Sequence, residues 1–304
     1  MFNKVLDKSK TIVVNEYIWL SSLDKEMPAI TECIDVEGIL QIDEWNDELL
    51  LFIHRNNINA LEIKGDRFEV TKFSLSFLKE IFNLRYLRIS GKFPKKEYKV
   101  LELLLELEEL SLADYEGYEL NFSNLTKLKA YFSIIKHKDH PILKCINLRC
   151  FGANSNLETL HFLSALNNLR KIFLFSKKLK SFDGITNLHK LENLEIVYAN
   201  SLEIKNNCPK LESLKKLTLD TCKNINTLNF ISKFPNIEYF SFSNCNEIVS
   251  LKPLETCKKL EVIFIGNTII EDHNLRILEQ IPTLKDVFFE EKKEYNMTMD
   301  DFKF

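Results

Sequence analysis

The chain has 304 residues, of which 45% are hydrophobic and 28% charged, and its formal net charge is -3. This composition is typical of a folded chain and excludes a disordered one, while the small net charge argues against a nucleic-acid partner or an anionic membrane surface. No apolar stretch is long enough to span a membrane and the N-terminus has no clean signal region, so we expect a cytoplasmic protein. The seven cysteines form no C-x-x-C pair, which favours thiols in a reducing compartment.

Residues 1–57 contain only short alternations of apolar and polar residues. Ile34 and Val36 form one alternation, and Leu40 and Ile42 form another. A period of two is typical of strands, so we expect irregular strands in this region.

From residue 58 onward an apolar phrase, L-x-x-L-x-L, recurs along the chain. It begins in a degenerate form at Ile58 and then at Leu84, Leu107, Leu125, Leu148, Leu169, Leu191, Leu214, Ile237, Leu260 and Leu284. Its last three positions alternate apolar, variable and apolar, which predicts a short half-buried strand. One such unit cannot bury its own apolar face, so we expect stacked units with parallel strands along one side.

The phrase and its spacing resemble the leucine-rich-repeat family, whose unit is 20–29 residues long. LKKLTLDTCKNINTLNFISKFPN and IEYFSFSNCNEIVSLKPLETCKK match best, with Cys222 and Cys245 where the family usually has Asn or Cys. The resemblance implies an α/β fold, a curved leucine-rich-repeat solenoid with a parallel β-sheet on its concave face and irregular or helical return segments on its convex face. It also implies return-segment phenylalanines that fill the interior, here Phe122, Phe162, Phe182 and Phe230.

The same resemblance divides the chain into three parts. Residues 1–57 are an N-terminal capping region, residues 58–290 a solenoid of about ten to eleven repeats, and residues 291–304 a C-terminal tail or cap. Caps are expected because an open solenoid end exposes its core to water.

Residues that could carry chemistry are few. His137, Asp139 and His140 could ligate a metal, but no further ligand has suitable spacing, and a solvated loop is the favoured interpretation. Cys222 and Cys245 lie one repeat apart, which indicates equivalent buried positions rather than a reactive pair. No G-x-S-x-G elbow, glycine-rich phosphate loop or H-E-x-x-H pair occurs. We therefore predict no enzyme activity, no cofactor and no metal.

The variable positions of the phrase point away from the core, and the resemblance places them on the concave face. The predicted partner-binding residues are Tyr86, Arg88, Lys127, Lys129, Tyr131, Lys171, Phe173, Phe175, Glu195, Val197, Tyr239, Phe264 and Phe288. The strip from Tyr131 through Phe173, Phe175 and Val197 is the predicted hot spot, because exposed apolar patches mark interaction sites. The alternative is that the N-terminal segment or the tail partly covers this face.

These features predict a non-catalytic protein–protein interaction module that binds a partner protein on its concave face. The predicted role is inhibition or neutralisation of a toxin or enzyme, as an immunity-type or regulatory protein. Three alternatives remain: a host-directed effector or scaffold, a nucleic-acid-binding protein that uses the more basic first half, and a metal-dependent enzyme that uses the loop 137–140.

Overall fold

A computed structural model describes residues 39–302 except 67, 117–118 and 206–207, together with the backbone of three short strands before residue 39. Ile34 and Val36, predicted above to lie in a strand, fall outside the described residues. The chain divides into two compact units: unit 1 comprises residues 1–134 and 139–152, and unit 2 comprises residues 135–138 and 153–304. Among the described residues, no helix combines the length and apolarity that a membrane span needs.

Unit 1 changes from antiparallel to parallel strand pairing. Successive strands from β1 (Val5–Leu6) through β2 (Thr11–Val14) and β3 (Tyr17–Leu20) to β4 (Ile39–Ile42) pair antiparallel. From β4 the pairing is parallel through β5 (Ala60–Lys64), β6 (Tyr86–Ser90), β7 (Glu109–Leu112) and β8 (Ala130–Ile135). Strand β9 (Cys150–Ser155) has residues in both units. Leu40 and Ile42 thus lie in β4, the first strand of the parallel series.

One α-helix, α1 (Asp47–Arg55), connects β4 to β5. The Asn46 side chain accepts a hydrogen bond from the Leu49 amide at 2.9 Å, which satisfies a free N–H group of the first turn. Leu49 and Ile53 lie four residues apart on one face of the helix and are both buried. The helix is therefore held by an N-cap and by packing of its apolar face on the unit 1 core.

Short 3-10 helices occur in most of the other return segments and after the last strand. They are Leu75–Glu80, Lys95–Leu103, Pro141–Lys144, His161–Leu163, Ile185–Asn187, Asn229–Lys233, Lys252–Thr256, Arg276–Gln280 and Met299–Phe302. In the return segments, Phe122, Phe182 and Phe230 are buried as predicted, whereas Phe162 is only half-buried.

Unit 2 has six parallel strands in register, one from each repeat. They are β10 (Lys171–Phe175), β11 (Asn193–Val197), β12 (Lys216–Asp220), β13 (Tyr239–Ser243), β14 (Val262–Gly266) and β15 (Asp286–Phe289). The second residue of each strand pairs with the second residue of the next and is buried, as in Leu194, Leu217 and Phe240. The predicted phrase is therefore confirmed here, because its apolar positions form the core and its variable positions form the opposite face.

The predicted repeat frame at Leu125 is wrong. Glu109 in β7 pairs with Ala130 in β8, so the phrase of this repeat begins at Leu128, three residues later than predicted. Leu125 instead ends the return segment, where its carbonyl accepts a hydrogen bond from the Leu128 amide at 3.1 Å. Leu104 and Leu107 form the same turn one repeat earlier. Two buried leucines three residues apart made the two frames indistinguishable in the sequence.

The cysteines of the best-matching repeats are buried thiols, as predicted. The Cys222 Sγ lies 3.6 Å from the Asp220 carbonyl oxygen, and the Cys245 Sγ lies 3.4 Å from the Ser243 carbonyl oxygen. Each thiol therefore donates a hydrogen bond to a carbonyl at the end of its strand, where the turn begins. The expectation that the cysteines are thiols is wrong at Cys150, which is disulfide-bonded.

After β15, the chain packs against the last repeat. The Tyr295 hydroxyl accepts a hydrogen bond from the Ile270 amide at 3.1 Å, and the Asn296 side chain accepts one from the Leu275 amide at 2.8 Å. The rings of Tyr295 and Phe302 each meet the Phe289 ring edge-on at 6.1 Å. These contacts bury Phe289, while the capping role of residues 291–304 stays a prediction.

Candidate interaction surface

Alternate residues of β10–β15 form a face opposite the unit 2 core, which we call the unit 2 sheet face. It comprises the first, third and, where present, fifth residue of each of these strands. Most of its side chains are half-buried, but Phe264 and Phe288 are 39% and 46% exposed. Large apolar side chains therefore remain in contact with water on the side of the sheet that faces away from the core.

One aromatic cluster lies at β10 and β11. Phe173 and Phe175 both project from β10, and Phe175 pairs with Val197 of β11. The Phe175 ring lies 4.8 Å from the ring of Tyr198, which follows β11 directly and is itself exposed. Tyr198 extends the predicted patch, and sequence reasoning missed it because the phrase ends one residue earlier.

The backbone at Tyr198 explains how its side chain reaches this position. Tyr198 has φ of 61°, and the equivalent residues after the next strands, Thr221, Asn244 and Asn267, also have positive φ. Asparagine tolerates this left-handed conformation better than a tyrosine or a β-branched threonine does. The turn of the repeat therefore dictates the backbone at Tyr198, and its ring is directed towards Phe175.

A second aromatic pair lies at β14 and β15. Phe264 and Phe288 are cross-strand partners, and their ring centroids are 6.2 Å apart. Gly266 makes room for them, because a Cβ atom at this position would lie only 2.6 Å from the Phe264 ring. The glycine thus permits the Phe264 ring to lie where it does.

Charged residues separate the two aromatic groups. Glu195 is the cross-strand partner of Phe173, and its pKa is raised first by burial and further by the nearby Asp220 carboxylate, while Lys216 opposes the shift. The Lys216 ammonium lies over the Tyr239 ring, 4.7 Å from its centroid, as a cation–π contact. The face is therefore mixed, with aromatic ends and a charged centre.

The predicted site residues of unit 1 do not form an exposed surface. Tyr131, predicted as part of the hot spot, is 0% exposed. In the corrected repeat frame it pairs with Leu110, and its side chain faces the core. Tyr86 does lie on the face away from the core, yet it is only 3% exposed. Arg88 pairs with Glu62 at 3.6 Å.

Lys127 and Lys129 also differ from the prediction. Because of the same frame shift they precede β8, and they form ion pairs with Glu106 and Glu108 of the previous repeat. Arg85 pairs with the same Glu108 at 2.7 Å. These lysines therefore cross-link successive turns instead of pointing from the sheet.

Within the part of the chain that the structure describes, no group of three or more potential metal ligands occurs at the His137–His140 loop or elsewhere. The expected solvated loop is wrong for His140, which is buried beside the rings of Phe122 and Tyr131. Its Nδ1 accepts a hydrogen bond from the Ile142 amide at 3.2 Å and so caps the 3-10 helix Pro141–Lys144.

No family model matches the sequence. The chain is similar to acidic leucine-rich nuclear phosphoprotein 32 family member A from Drosophila pseudoobscura pseudoobscura, with 28% identity over 124 residues, 39% of this chain and 47% of that protein. The same protein from Drosophila melanogaster is 28% identical over 125 residues, 39% of this chain and 48% of the relative. The chain thus spans about half the length of the curated relatives it matches.

Two solved structures share the fold. An internalin (inlF) from Listeria monocytogenes str. 4b F2365 has a TM-score of 0.53 at 15% identity, covering 77% of this chain and 73% of the internalin. TLR13 in its complex with ssRNA13 has a TM-score of 0.52 at 18% identity, covering 75% of this chain and 40% of TLR13.

The chain has the leucine-rich-repeat fold, as the phrase predicted. This solenoid fold, with one parallel strand per repeat and short return segments, commonly serves as a protein–protein interaction module.

Proposed function

We propose that this protein is a non-catalytic module that binds a partner protein on the unit 2 sheet face. The observation that carries the proposal is the pair of aromatic groups there: Phe173 and Phe175 with Tyr198, and Phe264 with Phe288. Aromatic side chains each bury about 150–250 Å² when covered, so they are effective anchors in an interface. Polar residues between them fit the mixed composition of interfaces that form and dissociate.

The corresponding positions of unit 1 argue for unit 2 as the binding region. Tyr86, Glu109 and Ser111 are buried, so they offer little surface to a partner. The proposed surface is accordingly narrower than the predicted set. The predicted residues that remain in it are Lys171, Phe173, Phe175, Glu195, Val197, Tyr239, Phe264 and Phe288.

We further propose that binding neutralises the partner, and that this occurs in the cytoplasm. Support for neutralisation comes from the resemblance to leucine-rich-repeat inhibitors that enclose a partner with their sheet face. Five thiols, at Cys145, Cys208, Cys222, Cys245 and Cys257, fit a reducing compartment, whereas the disulfide-bonded Cys150 does not.

The test is affinity capture from the source cells with three tagged baits. These are the wild type, a Phe173→Ala, Phe175→Ala double variant, and a Phe82→Ala control, in which the lost ring is 72% exposed but belongs to unit 1. We expect one stoichiometric protein with the wild type and the control, and its loss from the double variant. A partner retained equally by all three baits, or no protein partner at all, refutes the binding proposal.

Neutralisation needs a separate measurement on the captured partner. Its enzymatic or toxic activity should fall to a minimum at a stoichiometric ratio of this protein. Undiminished activity in the saturated complex refutes neutralisation and leaves a scaffolding role. Fractionation of the source cells tests the cytoplasmic location.

A further inference from the structure

Two carboxylates lie close together on the unit 2 sheet face. Glu195 is the third residue of β11 and Asp220 is the fifth of β12, so they are diagonal neighbours on adjacent strands, roughly 7–8 Å apart at Cα by sheet geometry. No hydrogen bond or ion pair holds the Glu195 carboxylate among the described residues. The Asp220 Oδ1 accepts hydrogen bonds of 2.9 Å from Thr221 and Asn244, which fix its orientation without neutralising its charge.

Aromatic rings border this pair of carboxylates. Val197 pairs with Phe175 on one side and with Asp220 on the other, Glu195 pairs with Phe173, and Phe175 contacts Tyr198. Aromatic faces attract cations, and carboxylates beside them add a charge-assisted hydrogen bond. The same face already contains one such contact in Lys216 over Tyr239.

Lys216 is close enough to the Glu195 carboxylate to stabilise its charged form, but the two side chains form no ion pair among the described residues. Lys216 is engaged at Tyr239, and Lys171 lies at the opposite end of β10 from Phe175. Lys216 and Asp220 lie at opposite ends of β12, so a cation that approaches beside Phe175 and Val197 is nearer to the Asp220 carboxylate than to the Lys216 position on the strand.

The second aromatic pair repeats the combination. Asp286 lies two residues before Phe288 on the same face of β15, and it is exposed. Both aromatic groups thus have a carboxylate beside them, so charge complementarity points to a basic partner.

We propose that the unit 2 sheet face binds a basic segment of a partner protein, whose arginine or lysine side chain lies between Glu195 and Asp220 and stacks on Phe175 and Tyr198. This inference rests on the proposed function and specifies the chemistry of its partner. Apolar residues next to the cationic one would contact Phe173 and Val197.

The test uses a short fluorescent peptide in which arginine alternates with leucine, and a matched peptide with citrulline in place of arginine. Citrulline keeps the shape of arginine and removes its charge. Anisotropy titrations compare the full-length wild type with Glu195→Gln, Asp220→Asn and a control, Glu247→Gln, at an exposed carboxylate outside the face. Circular dichroism confirms that each variant is folded.

We expect the arginine peptide to bind the wild type and the control about tenfold more tightly than it binds Glu195→Gln or Asp220→Asn. The citrulline peptide should bind all four proteins equally weakly. Equal losses in Glu195→Gln and Glu247→Gln would show general attraction to negative charge and overturn the inference, as would equal binding of both peptides.

These results are independent of the capture experiment. If a partner is captured through Phe173 and Phe175 but the affinity of the arginine peptide does not depend on Glu195, the proposed function stands and the proposal of a basic binding segment is wrong. If the arginine peptide binds as expected but no protein is captured, the chemistry of the site stands and the protein partner is wrong.

Discussion

We expect Glu109 of unit 1 to make the stability of the protein depend on pH. Its side chain is 1% exposed, and neither carboxyl oxygen has a hydrogen-bond partner in the part of the chain that the structure describes. Its cross-strand neighbours are Tyr86 and Ala130. Burial without compensation disfavours the charged form and raises the pKa of Glu109 to about 8.

The direction of the effect follows from proton linkage. Between the unfolded pKa of about 4.5 and the folded pKa of about 8, the folded state holds a proton that the unfolded state has released. The contribution is therefore fully present below pH 4.5 and is lost as the pH rises through 8. The pKa difference corresponds to a loss of roughly 5 kcal/mol in the free energy of unfolding, as an upper limit.

Glu109→Gln removes the ionisable group and keeps its size and polarity. We expect this variant to match the wild type near pH 5 and to exceed it by several kcal/mol near pH 9. Urea unfolding followed by circular dichroism at a series of pH values measures the difference. Glu44→Gln, which changes an exposed carboxylate of the same unit, serves as the control and should follow the wild type. Parallel stability curves for Glu109→Gln and the wild type across this range would refute the reasoning.

Three further predictions concern unit 2. Phe230→Ala should lower the free energy of unfolding by about 3–5 kcal/mol because it leaves a cavity in the core, whereas Phe264→Ala should lower it by under about 1 kcal/mol. Denaturant titration measures both losses, and equal losses would contradict the assignment of Phe264 to the surface. Gly266→Ala should displace the Phe264 ring and weaken partner binding with little change in melting temperature, and unchanged affinity would show that the ring position is unimportant. Cys222 and Cys245, whose pKa values burial raises to about 12 and about 11, should react with a thiol reagent at pH 8 only after unfolding, so rapid labelling of the native protein would contradict their burial.

The sequence predicted the fold because the phrase encodes it directly. Strands of period two, separated by a nearly constant number of residues, leave few arrangements other than stacked turns. The frame failed where this encoding is ambiguous: Leu125 and Leu128 are both buried, and only strand pairing shows which of them opens the phrase. That single error moved Lys129 and Tyr131 from the sheet face to other positions.

The solvent exposure of a side chain was harder to predict than the face of the sheet to which it points. The phrase correctly places Tyr86 and Phe173 on the side of the sheet opposite the core, yet Tyr86 is buried and Phe173 is half-buried. A repeat pattern states which way a side chain points, but burial depends on what packs over it from elsewhere in the chain. Tyr198 was missed for a related reason, since a left-handed turn residue has no place in a strand pattern.

The contrast between the two units bears on why unit 2 exposes aromatic groups. At equivalent positions unit 1 buries Glu109 and Ser111 without hydrogen-bond partners among the described residues, whereas unit 2 exposes Phe264 and Phe288. Each arrangement has a cost in stability, because buried polar groups lose hydration and exposed aromatic rings keep an unfavourable contact with water. Exposed rings recover that free energy when a partner covers them, and buried carboxyls do not. The proposed partner binding on unit 2 would account for its exposed aromatic groups. The Glu109→Gln variant tests a cost in folding stability, and the Phe264→Ala variant tests a contribution to binding.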